Sequence, residues 1–272
     1  MTLQLNVPAP DFKEFYGRNT EQMPLLIGEC RIPLSVVGLM NTRLEVLSRG
    51  VPEQVKLAWW DNYFDTGDGA VRHSDGRLKI VHDAQYLKLL TQGTKLVNGA
   101  VPFSDDFYRG LDGQEFTSAD VEKYFNKSLS ESEARTNPGW VALARGDKSL
   151  LSAVVDATFS QAKERLGYIG NMMGICHNTV SSEGAAGCLW LVAGLHVSIK
   201  YGWADGVGLL DYGNGRLVGV APEARASTGS IAQPSLDQVL GVVLPASDKY
   251  VASIGKAGFE RDAREALEGL YK

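Results

Sequence analysis

Glycine density changes at Gly167. Downstream it recurs at Gly170, Gly174, Gly184, Gly187, Gly194, Gly202, Gly206, Gly208, Gly213, Gly215 and Gly219, with apolar and aromatic residues filling the gaps. That spacing predicts short strands joined by tight turns, for which glycine supplies the backbone freedom. Leu209 to Tyr212, Gly213-Asn214-Gly215 and Arg216 to Val220 read as a hairpin, since Asn-Gly tolerates the positive φ of its turn. Leu195 to Tyr201 alternates Leu, Val, Ile and Tyr with His196, Ser198 and Lys200, the pattern of a half-buried strand. Ala221 to Pro234 reads as a loop, and Ala257 to Leu270 as a helix with Phe259, Ala263, Leu267 and Leu270 inward.

Upstream of Gly167 the periodicity is helical. Leu34, Val37, Met40, Leu44 and Leu47 recur at helical intervals between Pro33 and Gly50, and Pro52 opens a second helix carrying Val55, Leu57, Trp59 and Trp60. Ser130 and Glu133 have capping-box spacing. Asp147 caps a helix whose stripe runs through Leu151, Val155, Thr158, Phe159, Ala162 and Leu166 before Gly167 ends it. Strands and helices do not alternate regularly, so an α+β fold is expected. It has a helix-rich N-terminal two-thirds with one β-hairpin, a glycine-rich β segment after residue 167 and a C-terminal helix. The expected organisation is a single domain, 1–272, with lobes 1–167 and 168–272.

With 44% hydrophobic and 22% charged residues and a formal charge of −5, the 272-residue chain has the composition of a soluble globular protein. Disorder, collagen-like repeats and a small disulfide scaffold are excluded. No apolar run of about 18 residues argues for a membrane span, and the N-terminus lacks the layout of a secretory signal. Three widely spaced cysteines, Cys30, Cys176 and Cys188, read as reduced cytosolic thiols, so a cytoplasmic location is expected. A mildly acidic balance does not favour nucleic acid.

Chemistry concentrates between Trp59 and Asp83. Asp61, Asp65 and Asp68 resemble the clustered oxygens of a hard-cation loop, without matching an EF-hand, so a divalent cation is a candidate cofactor. Asp75-Gly76 as a two-residue turn would pair Ser74 with Arg77, His73 with Leu78 and Gly69 with His82. The two histidines would then stand roughly 13 Å apart, too far to share a metal. His82 would fall beside Asp68 and within reach of Asp65, as a metal ligand or a general base, with Asp61 or Asp83 in support. The plainer reading is that Asp65, Gly67, Asp68 and Gly69 form a turn ending the Trp59-Trp60 helix. Because adjacent helical residues diverge by about 100°, one of those two tryptophans is expected to pack inward and the other either to be exposed to a neighbouring lobe, subunit or ligand or to plug the gap between helices.

Cys176 is a candidate nucleophile only if His196 approaches from another strand, since neighbouring His177 points to the opposite face. Arg145-Gly146-Asp147 matches an adhesion tripeptide by letter, but Gly146 and Asp147 read as a helix stop and a helix cap. Two functions follow. The favoured one is a noncatalytic protein whose glycine-rich C-terminal lobe mediates self-assembly, as a homo-oligomer, or binds a protein partner. The alternative is a metal-assisted or general-base hydrolase using Asp65, Asp68 and His82.

Overall fold

The computed structural model describes residues 3–5, 11–177, 184–195 and 204–222, all inside one compact unit spanning 1–224. His196, the strand expected beyond Leu195, the loop expected beyond Pro222 and the helix expected at Ala257 to Leu270 lie outside the described residues.

The helical signals resolve as their capping chemistry directs. Ser35 caps Val36–Ser48 by accepting from the Gly38 N–H, so Pro33 stands before the helix rather than in its first turn. Pro52 precedes Glu53–Asp61. Ser130 and Glu133 close a reciprocal capping box. Asp147 caps Lys148–Leu166 through the Leu150 N–H, and Gly167 ends it in the left-handed conformation, φ 61°.

Eleven strands are described: β1 (Phe12–Tyr16), β2 (Ile32–Pro33), β3 (Phe64–His73), β4 (Leu78–Val81), β5 (Val101–Phe103), β6 (Gln114–Phe116), β7 (Lys127–Leu129), β8 (Met172–Cys176), β9 (Ala185–Val192), β10 (Ala204–Gly208) and β11 (Arg216–Val220). They join in one sheet with the order β1-β11-β3-β9-β10-β8-β7, while β2 pairs with β11, β4 with β3 and β6, and β5 with β9. The helix-rich expectation for the first two-thirds therefore holds only in part, because β1 to β7 all precede Gly167. Nor does the sheet break at Gly167: β11 lies between β1 and β3, and β8 pairs with β7.

Both faces of the sheet are buried. Along β3, Ala70 joins one apolar layer with Trp59, Phe64, Trp140 and Leu151, and its neighbour Val71 joins the other with Met23, Leu26 and Leu87. Trp190 and Leu189 split the same way, as do Val218 and Leu217, which is the period-two alternation of a strand between two apolar layers.

Two expectations fail here. Leu209 to Tyr212 is not a hairpin partner of β11, whose pairing positions are taken by β1, β2 and β3; the preceding residues instead form turns through Tyr212 N–H to Leu209 O and Gly215 N–H to Tyr212 O. Of the alternatives for the tryptophan pair, exposure fails: neither Trp59 nor Trp60 is exposed. Their indole N–H groups are satisfied indoors, by Leu5 O at 3.1 Å and Arg43 O at 3.0 Å.

Arg43 ties this region together. The residue is 7% exposed, and its guanidinium donates to the carbonyls of Trp59, Ala193 and Asn62, each at 3.0 Å, so it caps the end of Glu53–Asp61 and anchors the chain beyond β9. Burial lowers its pKa. Arg43→Met is therefore expected to cost about 2–4 kcal/mol by leaving these carbonyls under-satisfied. Arg43→Lys, with a single ammonium in place of a fork, should recover only part of that loss in urea unfolding.

Candidate functional site

The Trp59–Gly69 stretch is neither a cation loop nor a helix-ending turn. From Phe64 it is the buried strand β3, and Asp65, Thr66 and Asp68 are 2%, 0% and 0% exposed. Gly69 has a packing reason: a Cβ there would stand 2.2 Å from the Tyr86 hydroxyl oxygen.

The two carboxylates part ways. Asp65 Oδ2 accepts from Asn19 Nδ2 at 3.0 Å and from the Arg216 backbone N–H at 2.7 Å. Asp68 Oδ2 accepts from Val36 N–H at 2.7 Å, the first residue of the helix Val36–Ser48, where the helix dipole favours an anion. Its Oδ1 accepts from Asp83 N–H at 2.9 Å and lies 3.4 Å from Arg145 Nη2 and 3.6 Å from His82 Nδ1. Asp65 and Asp68 thus share no partner, and Asp61 is paired with Arg165. Among the described residues no group of three or more His, Cys, Asp or Glu side chains is placed to hold a metal ion.

Burial pushes both pKa values up, but their partners differ. For Asp65 burial prevails over Asn19 and the Arg216 N–H, and the pKa rises above 3.8. For Asp68 the His82 ring and the Asp83 and Val36 N–H groups outweigh burial, and the pKa falls below 3.8.

The hairpin register is shifted by one from the expected pairing. Gly69 faces Val81 and Arg72 faces Leu78, because the connection is a three-residue loop, Ser74-Asp75-Gly76, closed by His73 N–H to Arg77 O with Gly76 at φ 91°. His73 is drawn to Asp75 and Asp105 instead. His82 nevertheless meets Asp68, since it lies past the last ladder pair, where register does not dictate its direction. Asp83 then turns the chain at φ 48°, and Ala84 N–H donates to Gly67 O at 2.9 Å.

Arg145 completes the arrangement, and sequence reading missed it. Arg145 and Gly146 both have left-handed φ, 55° and 80°, where the helix Pro138–Leu143 stops. The stop was legible; the destination of the side chain was not. Arg145 Nη2 reaches Asp83 at 3.0 Å as well as Asp68. Two non-glycine residues in a strained conformation, paired over one buried carboxylate, match the clustering of backbone strain at functional sites.

An open cleft of about 710 Å³ adjoins this cluster, lined by His82, Asp83 and Arg145 together with Phe107, Asp112 and Gln114. Phe107 is 45% exposed and stacks on Phe103 at 4.4 Å, which in turn packs edge-on against Tyr86. The cysteine alternative has no geometry to add: Cys176 is half-buried, burial pushes its thiol pKa up, and His196 lies outside the described residues. No described helix is long and apolar enough to cross a membrane.

No family model matches the chain, and no curated protein matches it. Among solved structures, one described as "Accommodation of massive sequence variation in Nanoarchaeota by the C-type lectin fold" is similar at a TM-score of 0.57 and 17% identity, covering 79% of this chain and 100% of that one. At that identity the likeness concerns the fold, which is mixed α/β and resembles the C-type lectin fold.

The opposed pKa shifts make the two buried acids distinguishable. Asp68→Asn is expected to destabilise by about 1–3 kcal/mol at neutral pH, since it weakens charge-assisted bonds. The contribution lost is one present above about pH 4 and lost as pH falls through the lowered Asp68 pKa. Asp65→Asn should be neutral or stabilising at pH 7, because it removes a buried charge while its side-chain oxygen still accepts from Asn19 Nδ2 and the Arg216 N–H. That benefit shrinks as pH falls through the raised Asp65 pKa, where wild type is protonated too. Urea unfolding of both variants at several pH values checks the ordering.

Proposed function

We propose that the chain is a noncatalytic binding protein and that the cleft beside His82, Asp83 and Arg145 holds its ligand. The observation carrying this reading is the Arg145–Asp83 pair at 3.0 Å, both residues in left-handed conformation, at the wall of a cleft with an exposed aromatic face. The ligand meets polar groups at Arg145, Asp83 and Gln114 and lays an apolar surface on Phe107, whose stacking on Phe103 limits the ordering cost of contact. The likeness to a lectin-type scaffold, whose solved relative is described as accommodating sequence variation, supports binding over chemistry. The glycine-rich segment supports it less, because its described strands β8 to β11 are spent inside the sheet.

A second reading, a general-base hydrolase, is favoured by one observation: a buried carboxylate, Asp68, stands behind the imidazole of His82 at the cleft wall. Against it, Asp83 is engaged by Arg145 and does not stand free beside His82 to assist as a second acid or base.

A library of sugars, short peptides and small polar molecules, screened by thermal shift and mapped by amide chemical shifts, tests the binding reading. Ligands are expected to perturb Asp83, Gln114 and Gly146, and Phe107→Ala or Arg145→Ala to weaken them about tenfold. Hits that map elsewhere, or variants that bind like wild type, would defeat it; His82-dependent turnover of a library member would favour the hydrolase.

A further inference from the structure

We propose that Asn214 is a self-modification site, where the chain converts its own asparagine to aspartyl and isoaspartyl residues, and that the Tyr16 hydroxyl speeds the conversion. None of the residues involved lines the cleft.

The sequence holds Asn-Gly twice, at Asn98-Gly99 and Asn214-Gly215, and both asparagines are exposed to water. In either pair, attack of the glycine nitrogen on the asparagine Cγ closes a five-membered imide, and the missing glycine side chain leaves that nitrogen unhindered. The structure separates the two. Asn98 and Gly99 both have left-handed φ, 50° and 74°, in a two-residue turn closed by Val97 N–H to Ala100 O at 2.9 Å and Ala100 N–H to Val97 O at 3.1 Å. Swinging the Gly99 nitrogen toward Cγ would break that reciprocal pair. Asn214 does not share the left-handed conformation, and Gly215 N–H is held by Tyr212 O at a longer 3.2 Å.

The Asn214 amide is also polarised by its neighbours. Its Oδ1 accepts from the Tyr16 hydroxyl at 3.0 Å, and its Nδ2 donates to the Tyr212 hydroxyl at 3.3 Å. Tyr16 O–H therefore points at the oxygen on which negative charge develops when Cγ is attacked, the placement of an oxyanion donor. The Arg216 guanidinium keeps this ring in position, lying 5.3 Å from the centre of Tyr16 and 5.0 Å from that of Tyr63. In the reaction the Gly215 nitrogen loses its proton to solvent base and bonds to Cγ. The Cγ–Nδ2 bond then breaks, and ammonia leaves with a proton from water. Water opens the imide at Cγ to give aspartate, or at the main-chain carbonyl to give isoaspartate, so the net change consumes a water and releases ammonia.

The isoaspartyl product reaches into the sheet, because it lengthens the backbone just before Gly215. Gly215 O accepts from Gly17 N–H at 2.9 Å, and the next N–H, that of Arg216, donates to buried Asp65 at 2.7 Å. Displacing both loosens the end of the β1–β11 pair, where Tyr16 faces Arg216.

The test is incubation of the full chain at mildly alkaline pH, with timed peptide mapping that separates aspartyl from isoaspartyl at positions 98 and 214. Asn214 is expected to convert several-fold faster than Asn98 in the folded chain, and the two rates to converge in urea, where Tyr16 is no longer held nearby. Tyr16→Phe, which keeps the ring over Arg216, should slow Asn214 about fivefold, the size of one exposed hydrogen bond, and leave Asn98 unchanged. Equal rates at the two sites in the folded chain, or a rate ratio that persists in urea, would overturn the site. Conversion in Tyr16→Phe at the wild-type rate would overturn the assistance, and so would faster conversion, which would show the hydroxyl restraining the amide. In the isolated isoaspartyl form the Gly17 and Arg216 amides are expected to exchange faster with solvent; unchanged exchange would overturn the loosening of β1 from β11.

Discussion

Asp68 is a carboxylate with no solvent exposure, held ionised by what surrounds it. One oxygen receives the first N–H of the helix Val36–Ser48, and the other receives the Asp83 N–H and faces Arg145 and His82. A buried charge left without these donors would be expelled or neutralised. The helix start, the turn after β4 and the residue beyond the helix Pro138–Leu143 are therefore all referred to one side chain of the central strand. The strained conformations of Asp83 and Arg145 follow from that demand: the backbone must turn sharply at both places to aim donors inward.

The same economy recurs at Arg43, where a buried cation is satisfied wholly by backbone carbonyls. In both places a charge organises segments far apart in sequence, and the apolar layers on either face of the sheet supply the low-dielectric surroundings that make each hydrogen bond count. Asp68 differs in facing a cleft. Its partners His82, Asp83 and Arg145 are half-buried or exposed, so a residue that fixes the fold also sets the charge and orientation of groups a ligand would meet.

The proposed binding cleft lies among connections and strand ends, the parts of a fold that are free to vary while a sheet supplies rigidity. The cleft is assembled from the turn after β4, the helix Asp105–Gly110, the approach to β6 and the stop after Pro138–Leu143, four connections brought together by β3, β4 and β6. None is adjacent in sequence to all the others, and for that reason no local motif announces the site.

Local chemistry was sufficient for the helices: Ser35, Ser130, Asp147 and Gly167 act through backbone groups a few residues away, and their roles follow from spacing alone. Nearness of His82 to Asp68 was also legible, although through a register that is off by one; the contact survives because His82 lies beyond the ladder. What spacing cannot reveal is burial on both faces. β3 carries Asp, Thr and Gly where a half-buried strand would alternate, so its residues read as turn formers until the second apolar layer is in place. Likewise Arg145 is legible as a helix end, but only the packed structure sends its side chain across to Asp68 and Asp83, because partners 77 and 62 residues away are chosen by the fold and not by the chain around it.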